Sequence, residues 1–67
     1  MSKERSPRRI KSVEVAFDIL KILRNEEGAT VTEVAEAIDR SPGTTHTYLA
    51  TMRDNGYVRV EDGEYQV

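Results

Sequence analysis

Hydroxyl, imidazole and methyl groups crowd one short run, SPGTTHTYLATMRDNGY at residues 41–57. Thr44, His46 and Thr47 fall within a single helical turn, just behind Pro42 and Gly43. A threonine brings a hydroxyl for any base edge and a methyl that suits the C5 methyl of thymine. His46 can donate to guanine or to phosphate, and Gly43 lets the backbone approach a partner closely. Free N–H groups in a first helical turn attract one phosphate. Such groups on a helix face either contact a duplex or are merely solvated. They do not make a catalyst. His46 is the single histidine and there is no cysteine, so thiol chemistry and disulfides are excluded and His46 lacks companions for a metal site. No cofactor is expected. Glu26-Glu27 and Glu61-Asp62 lie in loop-like stretches and read as solvation, so no enzyme is expected either.

The elements that must position this run follow from periodicity and punctuation. Ser12 can cap a first helix reaching about Asn25. Val13, Ala16, Phe17, Leu20 and Leu23 form one apolar face of it, and Val15, Ile19 and Ile22 form a second beside it. The apolar arc spans roughly 220°, wider than a one-sided surface helix needs. The second stripe is either buried in the bundle or covered by another subunit. It is read as a dimer interface made by Val15, Ile19 and Ile22. Gly28 ends the turn after helix one. Thr30-Val-Thr-Glu33 has capping-box spacing and opens a short second helix with Val31, Val34, Ala35 and Ile38 on one face. Ser41 caps a third helix over 42–55, Pro42 takes its first position, and Gly56 ends it. Thr45, Tyr48, Leu49 and Met52 should face the core. Tyr57-Val-Arg-Val60, the turn signal Asp62-Gly63 and Tyr65-Gln-Val67 read as a hairpin over 57–67. The expected fold is mostly α with a small β-hairpin: a three-helix core plus a wing, or winged helix-turn-helix.

The 67 residues make one small domain with a modest core. No apolar run approaches the ~20 residues of a membrane span, and a cytoplasmic location is expected. Charge is uneven. Residues 1–11, read as a basic, flexible arm, carry five cations against Glu4, a net of +4, while 12–67 carry five cations against eleven acids, a net of −6. Such an arm either contacts a polyanion or is merely solvated. An acid-rich body with three lysines in the whole chain is also a halophile pattern, in which high salt screens the body's repulsion.

Residues 12–67 resemble the N-terminal winged helix-turn-helix domain of the IclR family of transcriptional regulators. The likeness is carried by SVEVAFDILKIL (12–23), TVTEVAEAI (30–38), TTHTYLATMRDNGYV (44–58) and GEYQV (63–67). It implies double-stranded DNA as partner, a homodimer on a pseudo-palindromic operator, and an effector-binding domain outside this chain, which then reads as an excised piece. The chain departs from the family pattern at Arg40-Ser41-Pro42-Gly43, at Thr47 in place of an arginine, and at Thr45 in place of a core valine.

In a helix-turn-helix the second helix of the pair enters the major groove. Helix 42–55 then meets base edges through Gly43, Thr44, His46 and Thr47. The phosphate contacts fall to Arg8, Arg9, Lys11 and Ser12 ahead of helix one, and to Thr30 and Thr32 at helix two. Arg40, Ser41, Thr51, Arg53 and Arg59 in the turn, helix three and wing complete them. The competing reading is a winged-helix protein-interaction or dimerisation module that does not read DNA.

Overall fold

The computed structural model describes residues 8–67; the start of the basic arm, with Lys3 and Arg5, lies outside the described residues. Three helices and three short strands follow in the order α1 (Lys11–Glu26), β1 (Ala29–Thr30), α2 (Val31–Ile38), α3 (Pro42–Asp54), β2 (Arg59–Glu61) and β3 (Glu64–Gln66). The arrangement is a winged helix-turn-helix, as expected, with one strand more than the hairpin required.

α1 starts earlier than its serine suggested. Lys11 is already helical, the N-cap is Ile10 in an extended conformation, and no side chain caps the turn. Ser12 sits inside the first turn instead. Acidic Glu14 lies near the helix start, where the dipole favours it, and it pairs with Arg9. At the other end Glu27, at φ 57°, holds the left-handed cap expected of Gly28. Gly28 follows at φ 109°, and a Cβ there would stand 3.2 Å from Gln66 Cγ. Only glycine lets the end of α1 turn so tightly against β3.

The capping box of α2 forms as its spacing requires. Thr30 Oγ1 accepts from Glu33 N–H at 3.2 Å, and Thr30 N–H donates to Glu33 Oε1 at 2.9 Å. Asp39, Arg40 and Ser41 make the three-residue turn, with Asp39 left-handed at φ 58°. α3 ends in a Schellman motif: Gly56 N–H donates to Arg53 C=O and Tyr57 N–H to Met52 C=O, each at 2.9 Å. This shifts the wing. Tyr57 uses its N–H to close the helix, so it cannot also join a ladder, and β2 begins two residues after it. The Asp62-Gly63 turn has both φ angles positive, 52° and 80°, which suits a tight hairpin. β3 is central. It pairs antiparallel with β2 on one side and β1 on the other, aligning Ala29, Tyr65 and Val60 in one row.

The core corrects the reading of α1. Val15, Ile19 and Leu23 are buried, with Ile19 at 0% exposure, and they pack with Val34, Leu49, Met52, Val58 and Tyr65. Ile22 is half-buried between α1 and α2. Val15 and Ile19, expected at a subunit interface, therefore face the interior, while Ile22 stays partly open to a groove. On the other stripe, Val13 and Phe17 are 46% and 56% exposed. A 220° apolar arc tells that one side must be buried but does not tell which half; packing against α2 and α3 decides. α3 follows expectation: Thr45, Leu49 and Met52 point in and Tyr48 is half-buried.

Two stability changes follow. Ile19→Glu places an unpaired carboxylate at a fully buried position, on the order of 3–5 kcal/mol and comparable to the whole stability of a small domain. Circular dichroism should show an unfolded chain; a folded mutant would contradict this core. Thr45 is also fully buried, and its Oγ1 has no hydrogen-bond partner. Thr45→Val removes that orphan at nearly constant shape and should raise stability in urea melts by about 1–2 kcal/mol. A lower stability would show that the hydroxyl is satisfied.

Candidate nucleic-acid interface

Burying Thr45, Leu49 and Met52 fixes the roll of α3. Its opposite face then presents Gly43, Thr44, His46, Thr47 and Thr51, all exposed. The four residues expected to meet bases thus share one outward surface at the leading end of the helix. Gly43 is notable for what it does not need. Its φ is not positive, and a Cβ built on it meets nothing within 4 Å. Nothing in the fold demands glycine at this helical position.

Hydrogen bonds assign the polar groups more narrowly than sequence could. Ser41 Oγ accepts from Thr44 N–H at 3.1 Å, and Thr45 N–H donates to Ser41 C=O at 2.9 Å. Pro42 has no N–H to give. Gly43 N–H is left as the uncommitted donor of this turn among the described bonds. The anion site at this end is therefore a single amide, fewer than the several expected. Thr47 Oγ1 donates to Gly43 C=O at 3.2 Å and Thr51 Oγ1 to Thr47 C=O at 2.9 Å. Both hydroxyl protons are turned back on the helix. Thr51 could donate to a phosphate only by breaking that bond.

The cations are similarly engaged. Arg9 pairs with Glu14, and Arg53 Nη2 lies 3.7 Å from Asp54. Arg59 Nη2 donates to Gln66 Oε1 at 3.0 Å across the wing. Arg59 and Gln66 are register partners, so this bond stiffens the hairpin. At the start of α2 the Glu33 carboxylate already occupies the position a phosphate would take near Thr30; Thr32 is exposed beside it. Lys11 and Arg40 line one open groove between α1 and α2, together with Lys21, Glu14 and Asp18. That groove brings two of the expected phosphate contacts together. Arg8 and Ser12 are exposed near the start of α1.

One surface was missed in the sequence. Val13, Ala16, Phe17 and Leu20 of α1, with Met52 and Tyr57, line a strongly apolar groove, and Tyr57 is 68% exposed. A signal existed. The residue two beyond a glycine-capped helix end commonly packs on the helix's last turn, which puts Tyr57 beside Met52. No helix among the described residues is long and apolar enough to cross a membrane.

Comparison with known proteins agrees with this geometry. Residues 12–62 match the model of the IclR helix-turn-helix domain. Probable HTH-type transcriptional regulator ArcR of Halobacterium salinarum is 40% identical over 62 residues, which span 91% of this chain and 24% of that protein. HTH-type transcriptional regulator BhcR of Paracoccus denitrificans is 36% identical over 47 residues, 70% of this chain and 17% of that protein. The chain thus spans about a quarter or less of the length of these relatives. No solved structure matches significantly. With the capped turn, the outward-facing third helix, the wing and this match together, the chain belongs to the IclR helix-turn-helix family and is a DNA-binding domain of the transcription-regulator type.

Proposed function

We propose that the domain binds double-stranded DNA sequence-specifically, with the leading end of α3 in the major groove and the hairpin as a wing along the backbone. The observation that carries this reading is Gly43. Glycine in a helix costs up to about 1 kcal/mol relative to alanine. Here no strain, positive φ or crowding within the fold offsets that cost. A partner that must approach the backbone at this point does. Gly43→Ala should therefore raise the unfolding free energy by about 0.5–1 kcal/mol. It should weaken binding of a selected duplex at least tenfold, read by fluorescence anisotropy. An alanine variant that is more stable and binds equally well would remove the argument.

We further propose that the protein works as a homodimer on a pseudo-palindromic operator, joined through the Val13, Phe17, Leu20 and Tyr57 groove. The C-terminal end of α3 borders this groove through Met52. Gly43 at its reading end lies nine residues from Met52, about 14 Å along the helix. A twofold axis at the groove would carry the two reading ends outward on either side of it, and a pseudo-palindromic operator asks for ~34 Å, one duplex turn, between them. Phe17→Glu should give a folded monomer by light scattering, in contrast to the unfolded Ile19→Glu. A dimeric Phe17→Glu would place the interface elsewhere.

Effector control is assigned to residues beyond this chain, and the acid-rich body is read as suited to high salt. A second reading, a protein-interaction or dimerisation module that does not read DNA, is favoured by the acidic wing tip. There Glu61 faces Glu64 across the hairpin beside Asp62. Failure to enrich any duplex from a random pool at any salt concentration would select it.

A further inference from the structure

We propose that Thr47 chooses its base through its methyl group, preferring thymine, and not through a donated hydroxyl proton. This rests on the DNA reading proposed above and goes one step further, to the chemistry of the base.

Thr47 is exposed, yet its Oγ1 donates to Gly43 C=O at 3.2 Å. A hydroxyl has one proton to give. With that proton committed, Thr47 keeps lone pairs and a methyl for a partner. The same bond holds χ1, and a β-branched side chain has few other rotamers, so the methyl is set before any DNA arrives. Its neighbours repeat the pattern. Thr51 commits its proton to Thr47 C=O, and Ala50, half-buried between them, has only a methyl.

The face behind His46 is therefore poor in donors. Guanine and thymine oxygens, and purine N7, ask for donors in the major groove. A methyl and a lone pair instead suit an A·T pair, through the thymine C5 methyl and the adenine N6 amine. His46, the Thr44 hydroxyl and the Gly43 amide remain the donors of the leading turn. A 5-methyl group is also carried by 5-methylcytosine, so the base itself must be tested.

The experiment begins with a duplex selected from a random pool by the 67-residue chain. Each thymine is replaced singly by deoxyuridine, which removes the methyl and leaves the pairing edge intact. At one position wild type should bind about fourfold more weakly, the factor one buried methyl is worth. Thr47→Ser should bind the thymine duplex as weakly and no longer distinguish thymine from uracil there. Thr47→Val, which lacks the hydroxyl, should keep the distinction. Placing 5-methylcytosine at that position should recover less than half of the loss if thymine is the intended base; full recovery would overturn the choice of thymine. Loss of the distinction in Thr47→Val, or indifference of wild type to every uracil, would overturn the role of the methyl while leaving DNA binding intact. An empty selection would instead overturn the DNA reading itself.

Discussion

Val15, Ile19 and Leu23 form one buried row along α1, and the orientation of every other element depends on it. Val34 of α2 and Leu49 of α3 pack against this row, as do Val58 and Tyr65 of the wing. Because Leu49, Thr45 and Met52 must point at it, α3 has one permitted roll, and that roll turns Gly43, Thr44, His46 and Thr47 outward. The chemistry of the exposed face is thus a consequence of apolar burial on the opposite one. The constraint is also expensive in a small domain. Ten hydrophobic residues are buried among those described, so each carries a large part of the stability. The orphaned hydroxyl of Thr45 is buried on the α3 face that points at this row.

Several surface arginines are already engaged within the fold. Three of the expected phosphate-contacting arginines are held by a neighbour: Arg53 by Asp54, Arg59 by Gln66, Arg9 by Glu14. Exposed pairs of this kind contribute little to folding. Their consequence is for the proposed binding, since a phosphate contact by any of these three must compete with a partner already in place. In the proposed complex affinity would then lean on shape and base-edge contacts as well as on the long-range pull of the remaining cations. A leading turn with one free amide and no cation fits the same pattern.

The fold was largely legible in the sequence because its signals were local. Thr30 and Glu33 carry both halves of a capping box, Ser41-Pro42 opens α3, and Asp62-Gly63 turns the hairpin. Each depends on residues within reach of one another along the chain. The outward set on α3 was legible for the same reason, as its core stripe has plain helical spacing. What could not be read depended on distant partners. Both stripes of α1 are equally apolar, and only the position of α2 and α3 decides that Ile19 goes in and Phe17 stays out. β1 was invisible because two residues, Ala29 and Thr30, become a strand only by pairing with β3. Commitment of the Thr47 and Thr51 protons to the helix backbone is a matter of rotamer, which residue type does not specify.

The central claim is that the leading end of α3 enters the groove of a duplex. Amide chemical-shift mapping of the chain on titration with a selected duplex tests it most directly. The largest shifts should fall at residues 40–51, with smaller ones at the wing and none in the buried row of Val15, Ile19 and Leu23. Shifts confined to the Phe17 and Tyr57 groove, with residues 43–47 silent, would contradict it.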